Sequence, residues 1–485
     1  MSLEQMLQSA GGGETVAGEM GMAELAELQK SLQAGYGTDS ASLTGGSALR
    51  IQSLDTVMQA TVQDNKHFNL FNRLPKPGAT ATVDEWTEQY SVGGFLGGST
   101  NIEDGDAEEA NGDYARMVGK VKYLSTYRKI PIVLQNQNNI VDAKALEASN
   151  GAKQLLTDIE YLLFEGNDAV VPTEFNGIAT QIASLGSSDH IIDMNGNPLN
   201  SVEPIARAAE TIFGIDSFGT PTDIFTATSV QTDLNNHLDP AFRVGLTDKA
   251  INNVLGTHVS GIQTSYGEIK TNQDVFIRDE KLKKPFQVRY PAVAVRQDII
   301  KPAQLDVAVD ANGGADSKFG AGHAGNYFYL VTGVNARGQS TGVISAQVAV
   351  VAGGKATLEI TPSMGGQETG YVIYRSRKNG TNAVTDFREM IRVPKAAAGA
   401  NTVVVDKNLD IPGSTIGYVL NLNPADHAIS WKQYMPMLEI PMAAVRSPII
   451  PWLQMICGYL RVTKRRQHVL VKNIVPSGAL WKPFA

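Results

Sequence analysis

Cysteine is almost missing. Cys457 is the only one among 485 residues, so no intrachain disulfide and no thiolate metal cage can form, and a reducing compartment fits. No stretch approaches the ~18 uninterrupted apolar residues that a membrane helix needs, and Met1 to Ala10 has no basic segment leading into an apolar one. Neither membrane insertion nor secretion by that route is expected. A basic excess is absent too. With 41 Lys and Arg against 49 Asp and Glu, the net charge of −8 excludes a protein that simply coats nucleic acid, though not a local basic face. Catalytic signatures are equally lacking. GGFLGG and GGSALR have no phosphate-loop lysine, and TPSMG puts threonine where a nucleophile elbow has glycine. His67, His190, His237, His258, His323, His427 and His468 form no H-x-x-x-H pair. A carboxylate dyad is defined in space, so spacing neither shows nor excludes one. The expectation is a non-enzyme with no metal and no cofactor.

What is present suits a globular chain. Its length implies two to four units, hydrophobic residues at 42% and charged ones at 19% are ordinary, and 47 glycines imply many turns. Residues 1–49 are rich in Gly, Ser, Ala and Glu, with one short helical pattern at Leu25, Leu28 and Leu32. So few large side chains cannot offset ordering entropy, so this arm is either a loose terminus or laid on another subunit. From Asp142 to Gly166 the spacing predicts a long helix. Ala152, Leu155, Leu156, Ile159, Leu162 and Leu163 share one face, while Lys153, Thr157, Asp158 and Glu160 fall away from it. Asp142 can cap the first-turn amides, and Gly166 tolerates a positive φ at the stop. Asn150 and Gly151 weaken the helix by roughly 1 kcal/mol relative to alanine, which predicts a bend or break.

Ahead of this helix, ATVDEWTEQYSV alternates Trp86, Tyr90 and Val92 with polar residues, as a strand does, and GKVKYLSTYRKIPIVL reads as its return. Asp84, Glu85 and Glu88 on the first strand then face Lys120, Lys122, Arg128 and Lys129 on the second, opposite charges across a ladder. The connection GGFLGGSTNIEDGDAEEANGD far exceeds the usual two to five residues of a hairpin turn. Its tip carries Glu103, Asp104, Asp106, Glu108, Glu109 and Asp113 and no base. A calcium loop fails, because Glu109 stands where glycine is required and Ala115 where the bidentate glutamate belongs. A solvated acidic loop and a finger docking on a basic partner both remain open. An isolated hairpin is marginal by itself, so a projecting one needs a surface to lie on.

After the long helix, patterns alternate as in a compact α+β domain, with a helix expected over 202–213 (Ile205, Ala208, Ala209, Ile212 and Phe213 in one stripe) and a buried strand over 224–228. Residues 305–422 have a different character: YFYLVTGVNARGQS, ISAQVAVVA, ATLEITPS, GYVIYRSRK, EMIRVP and NTVVVD are short strands at regular spacing. They predict an all-β sandwich inserted before the α+β pattern resumes at Trp431. YLVTGVNARGQS and GYVIYRSRKNG resemble fibronectin type III and immunoglobulin-like modules, in reversed order. Near the end Arg461, Lys464, Arg465, Arg466 and Lys472 form a basic patch without an intervening acid. It is either a solvated face or a contact for nucleic acid or an acidic partner.

This order, with NKHFNLFNRLPKP before the hairpin, DAKALEASNGAKQLLTDIEYLLFEGND as helix, and PTDIFTATSV followed by SYGEIKTN, resembles the major capsid proteins of tailed bacteriophages with the Hong Kong 97-type fold. The likeness spans roughly residues 45–304 and 423–480. It implies an α+β architecture: an N-terminal arm (1–49), a peripheral domain (50–174) with the extended hairpin loop (82–133) and spine helix (142–165), a mainly axial domain (175–304), the inserted sandwich (305–422), and a return to the peripheral domain (423–485). It further implies self-assembly as hexamers and pentamers into an icosahedral head enclosing double-stranded DNA, located in the virion and assembled in the host bacterial cytoplasm. Portal, scaffolding or decoration proteins are the other implied partners, with packaged DNA touched non-specifically from inside and no membrane involved. Trp86, Tyr90, the tip acids, Lys120, Lys122 and Arg128 are then expected at contacts between subunits. The arm is short for a fused scaffold, so a separate scaffold or none is expected. The tip lacks lysine, so covalent cross-linking is not carried over. Rival readings are a carbohydrate-active or adhesive protein with a fibronectin-like module, and a tail or baseplate component.

Overall fold

The computed structural model describes residues 65–107, 109–136, 142–215, 217–237, 259–288, 295–397, 399–442 and 448–480. The expected N-terminal arm, with its Leu25, Leu28 and Leu32 pattern, lies outside the described residues, as does Glu108. A single turn, α1 (Asn69–Arg73), precedes β1 (Val83–Ser91), β2 (Asp113–Lys120), β3 (Lys122–Pro131), α2 (Ile132–Asn136) and the long α3 (Ala143–Glu165). Next come α4 (Ile178–Ala183), β4 (Ile191–Asp193), α5 (Glu203–Phe213), β5 (Asp223–Ala227), α6 (Thr228–His237), β6 (Gly261–Thr264) and β7 (Gly267–Asp274). A run of strands follows: β8 (Gln304–Asp310), β9 (Gly325–Tyr327), β10 (Tyr329–Asn335), β11 (Gly338–Gln339), β12 (Val343–Ile344), β13 (Val348–Val350), β14 (Lys355–Thr361), β15 (Gly370–Ser376), β16 (Phe387–Pro394) and β17 (Thr402–Asp406). The chain closes with β18 (Thr415–Leu420), β19 (Ile429–Pro441), β20 (Ile449–Val462) and β21 (Val469–Ile474).

Two sheets form the body. A six-stranded sheet has the order β4-β21-β18-β5-β7-β6, and a three-stranded sheet the order β19-β20-β3. The expected sandwich range therefore runs too far: β18 is paired to β5 and β21, not to the strands before it. Its sequence TIGYVL is strand-like in either setting, and only the pairing separates them.

Helix α3 starts where Asp142 accepts hydrogen bonds from the amides of Lys144 (2.9 Å) and Ala145 (3.3 Å). It runs through Asn150 and Gly151 without the expected break; Gly151 is buried, and the facing Gln454 donates to the Ala148 carbonyl at 2.9 Å. Gly166 ends the helix at φ −59°, not in the left-handed region. Glycine is needed there for closeness, since a Cβ would sit 2.3 Å from the Phe175 carbonyl oxygen. Leu155, Ile159 and Leu163 are fully buried, the latter two in one core with residues of α4, α5 and β5, each stabilising the fold by roughly 1.5–3 kcal/mol. On α5, Ile205, Ala208, Ala209 and Ile212 join that core, but Phe213 is exposed and its ring lies against Tyr266, 5.3 Å between centroids.

Glu160 departs from the helical wheel. It is fully buried and accepts the amides of Leu70 (2.6 Å) and Phe71 (3.0 Å), capping α1 from another element. Burial, and then the neighbouring Asp274 carboxylate, pushes its pKa well above the usual carboxylate range.

The strands from β8 to β17 make a five-stranded sheet around β10 and β15, a three-stranded sheet β17-β14-β8 and a pair β13-β9. Leu305, Leu358 and Ile360 of one sheet share a core with Tyr329, Val331, Tyr371 and Ile373 of the other, so two sheets pack face to face. Charge locks this sandwich to the body. Arg278 grips Glu389 of β16 with both Nη atoms at 2.8 Å and reaches Glu165 of α3 with Nε at 2.8 Å, while Arg392 reaches Glu389 at 3.0 Å. Burial opposes the Glu165 charge, yet Arg278, Lys283 and Arg392 together outweigh it and hold the carboxyl below its ordinary range.

A raised carboxyl pKa contributes stability that is complete below the unfolded value and is lost as pH rises through the folded one. Melting temperature should fall between pH 5 and pH 9, and Glu160→Gln, which cannot ionise and keeps one acceptor oxygen for the Leu70 or the Phe71 amide, should flatten that slope. An unchanged slope would remove Glu160 as its source.

Candidate functional site

The hairpin is built differently from the sequence expectation. β1 pairs with β2 in a ladder running from Val83↔Lys120 to Ser91↔Asp113, so the return strand is DYARMVGK. The chain turns at buried Val121, and β3 crosses to pair with β20. Lys122, Arg128 and Lys129 therefore do not face Asp84, Glu85 and Glu88. Lys122 instead donates to the Pro172 carbonyl (2.6 Å), and Arg128 joins Glu147 (3.0 Å) and Gln154 (2.6 Å) of α3. Across the hairpin itself, the charge pair is Arg116 with Glu85.

The stem has two faces, because side chains alternate along a strand. Asp84, Trp86, Glu88 and Tyr90 face the body, and the expected basic patch receives them. Asp84 accepts from Tyr459 (2.6 Å) and lies 3.4 Å from Arg461, whose guanidinium stands 5.4 Å over the Trp86 ring. Gly119 makes this possible: a Cβ there would meet the Tyr459 ring at 2.3 Å. Burial, and then the bond to Asp84, pushes the Tyr459 hydroxyl pKa far up. Glu88 accepts from Trp86 Nε1 (2.7 Å) and the Tyr90 hydroxyl (2.9 Å), with Arg465 at 3.7 Å. Arg465 also donates to Tyr90 (2.9 Å) and Ser184 (3.1 Å), and Arg466 stacks 5.8 Å over the Tyr90 ring. Lys472 stands apart on β21, bound to Asp410 at 2.7 Å, and Lys464 reaches Asp426 at 4.0 Å. Much of the basic patch is thus spent within the protomer as the seat of the hairpin stem.

Beyond the stem the picture reverses. The described residues of 92–107 and 109–112 fold mainly on themselves, as in Asn101 donating to the Asp106 carbonyl at 2.8 Å and the Gly98 amide to the Phe95 carbonyl at 2.9 Å. Val92 is 84% exposed, Phe95 73%, Leu96 86% and Ile102 77%. Glu103, Asp104, Asp106, Glu109 and Asp113 are all exposed, and among the described residues none has a cation at ion-pair distance. Lys120, at the end of β2, is exposed too. In the sequence the tip acids stand out by number, and the apolar residues beside them are easily passed over. Their signal was available: two large apolar side chains between paired glycines in GGFLGG, in a loop with no core to enter.

Among the described residues no cluster of His, Cys, Asp and Glu could hold a metal ion, and no helix is long and apolar enough to cross a membrane. The arrangement fits mechanical contact: a seated stem presenting an apolar and acidic tip.

No family model matches the chain. The chain is similar to a phage protein named "Putative major capsid protein". That relative, from Enterococcus phage phiEF24C, is 24% identical over 464 residues, covering 92% of this chain and 94% of the relative. Among solved structures, the capsid of a native GTA particle overlays with a TM-score of 0.47 at 8% identity, covering 90% of this chain and 100% of that one. The capsid of cyanophage P-SCSP1u gives 0.44 at 9% identity, covering 87% and 93%.

Arg465→Ala would leave the nearly buried Glu88 carboxylate without its cation, at a cost of about 1–3 kcal/mol. Amide hydrogen exchange over 83–91 and 113–120 should then speed up about tenfold or more, with β19 and β20 unchanged. Equal acceleration everywhere would mean a global defect and no specific seat.

Proposed function

We propose that this protein is a structural major capsid protein of a tailed phage, with the Hong Kong 97-type fold. Copies assemble as hexamers and pentamers into an icosahedral head around double-stranded DNA. The observation that carries this reading is the contrast within the hairpin. Its stem is fixed by half-buried Asp84 and buried Glu88 with their arginines, while its tip exposes four large apolar side chains and a cluster of acids that nothing among the described residues of the protomer covers. Exposed apolar groups beside charge, held out on a firm support, suit a contact between copies. Similarity along nearly the whole chain to the Enterococcus phage protein supports the same conclusion.

In this reading α3 is the spine helix, β1 and β2 form the extended loop, and β3, β19 and β20 belong to the peripheral domain. The six-stranded sheet is the axial domain, drawing β18 and β21 from chain that the spacing placed elsewhere. The packed sheets of β8 to β17 are an immunoglobulin or fibronectin type III-like insertion. The role is non-enzymatic and its place is the virion, with portal, scaffolding or decoration proteins and packaged DNA as further partners.

Expression of the full chain should give shells, sheets or capsomer rings in negative-stain microscopy; compact monomers by size exclusion would refute the proposal. Reversing Asp104, Asp106 and Glu109 to lysine should cut particle yield by about tenfold or more, since like charges across a contact cost over 1 kcal/mol. Full yield from that variant would remove the acids from the contact.

A further inference from the structure

Asp84 and Glu88 tie the hairpin stem down at separate points, and the stem does not close on the body everywhere. A cavity of about 280 Å³ lies between them, with Trp86 and β2 on the hairpin side and α4 and β20 on the body side. That is room for far more than one water, which needs roughly 10–15 Å³ of such space.

The side chains lining this cavity hold more donors than the protein uses. Lys120 has no partner among the described residues, and half-buried Lys122 spends one of its three N–H groups on the Pro172 carbonyl (2.6 Å). Asn176 accepts the Asp168 amide with Oδ1 (3.0 Å), and its Nδ2 meets no acceptor among the described residues. Arg465 donates through its Nη atoms to Ser184 (3.1 Å) and Tyr90 (2.9 Å), but its Nε is buried and unpaired. Buried donors are nearly always paired in folded proteins, so an orphaned one marks a place for an acceptor. Asp168 is the one acid in the lining, and among the described residues no cation stands at ion-pair distance from it. Glu88, outside the lining, answers Arg465 at 3.7 Å. Lys120 and Lys122 against Asp168 then leave positive charge in excess.

We infer that this cavity binds a small tetrahedral oxyanion such as inorganic phosphate, whose oxygens accept from Lys120, Lys122 and Asn176 beside the Arg465 guanidinium. The donors come from four places: the end of β2, the start of β3, the loop before α4 and the turn after β20. Four oxygens pointing apart suit donors arriving from separate elements, where chloride or a planar carboxylate would serve fewer of them, and charge-assisted bonds of this kind are the strong ones. The bound anion would tie β2 to the body between the points where Asp84 and Glu88 already hold the stem. The site is built within one protomer and does not depend on the assembly proposed above.

The test is amide hydrogen exchange on the full chain, at fixed ionic strength and in one state of assembly, with phosphate replacing chloride. At ten times its dissociation constant, phosphate should slow exchange over 83–91 and 113–120 about tenfold, and saturably, while β10 and β15 of the sandwich stay unchanged. Asn176→Asp still accepts the Asp168 amide but sets a carboxylate against the anion, and it should abolish the effect. Lys120→Gln, at an exposed position, should abolish or greatly weaken it, and Lys120→Arg should keep it. Slowing that never saturates and reaches β10 and β15 equally would be the general exclusion of phosphate from protein surfaces, and would overturn the inference. So would a full response from Lys120→Gln or from a normally folded Asn176→Asp, or protection by a short DNA duplex with none by phosphate. If Asn176→Asp speeds exchange in β10 and β15 without phosphate, its fold is disturbed and the Lys120 pair decides. Each of these outcomes leaves the capsid reading intact.

Discussion

The hairpin has direction only because four side chains of its inner face are bound to the body. Asp84 and Glu88 are carboxylates at a nearly closed interface, and such groups are tolerable there only with cations and donors in place. Arg461, Arg465 and Tyr459 provide them. A two-stranded ribbon without that seat would lose its orientation, and the exposed tip with it. The same residues explain why a strongly basic turn occurs in a chain of net negative charge: much of its charge balances acids of the stem.

Much of the architecture was legible from residue spacing. Helix α3 announced itself by its apolar stripe and by Asp142, and α5 and β5 fall within one or two residues of their expected ranges. Local patterns suffice where the deciding contacts are local. They fail where a partner is remote: Glu160 looked like a surface residue because the amides it caps lie about 90 positions earlier, and Arg465 looked unengaged because Tyr90 lies 375 positions away.

The hairpin itself shows how alternation underdetermines pairing. Residues 119–134 read as one return strand, yet the chain changes sheets at Val121: Gly119 and Lys120 end β2 on the hairpin, and β3 beyond the turn pairs with β20. The charge match inferred for the second part was plausible chemistry with the wrong neighbour. The tip gave the opposite lesson, since its acids drew attention by their number while Phe95 and Leu96, in plain view, expose large apolar surface beside them.

The placement of β18 bears on how the chain reaches its native state. It pairs with β5, Tyr418 opposite Phe225, across an interval containing the whole sandwich. On a ribosome, the middle of the polypeptide emerges complete before the central sheet can be closed. The sandwich has its own core and can collapse first, which replaces residues 304–406 of the loop that closure must span by about one strand length, since β8 and β17 both flank β14. Translation order thus makes the insertion an early clasp, and until residues beyond 415 appear, the edge of β5 waits unpaired.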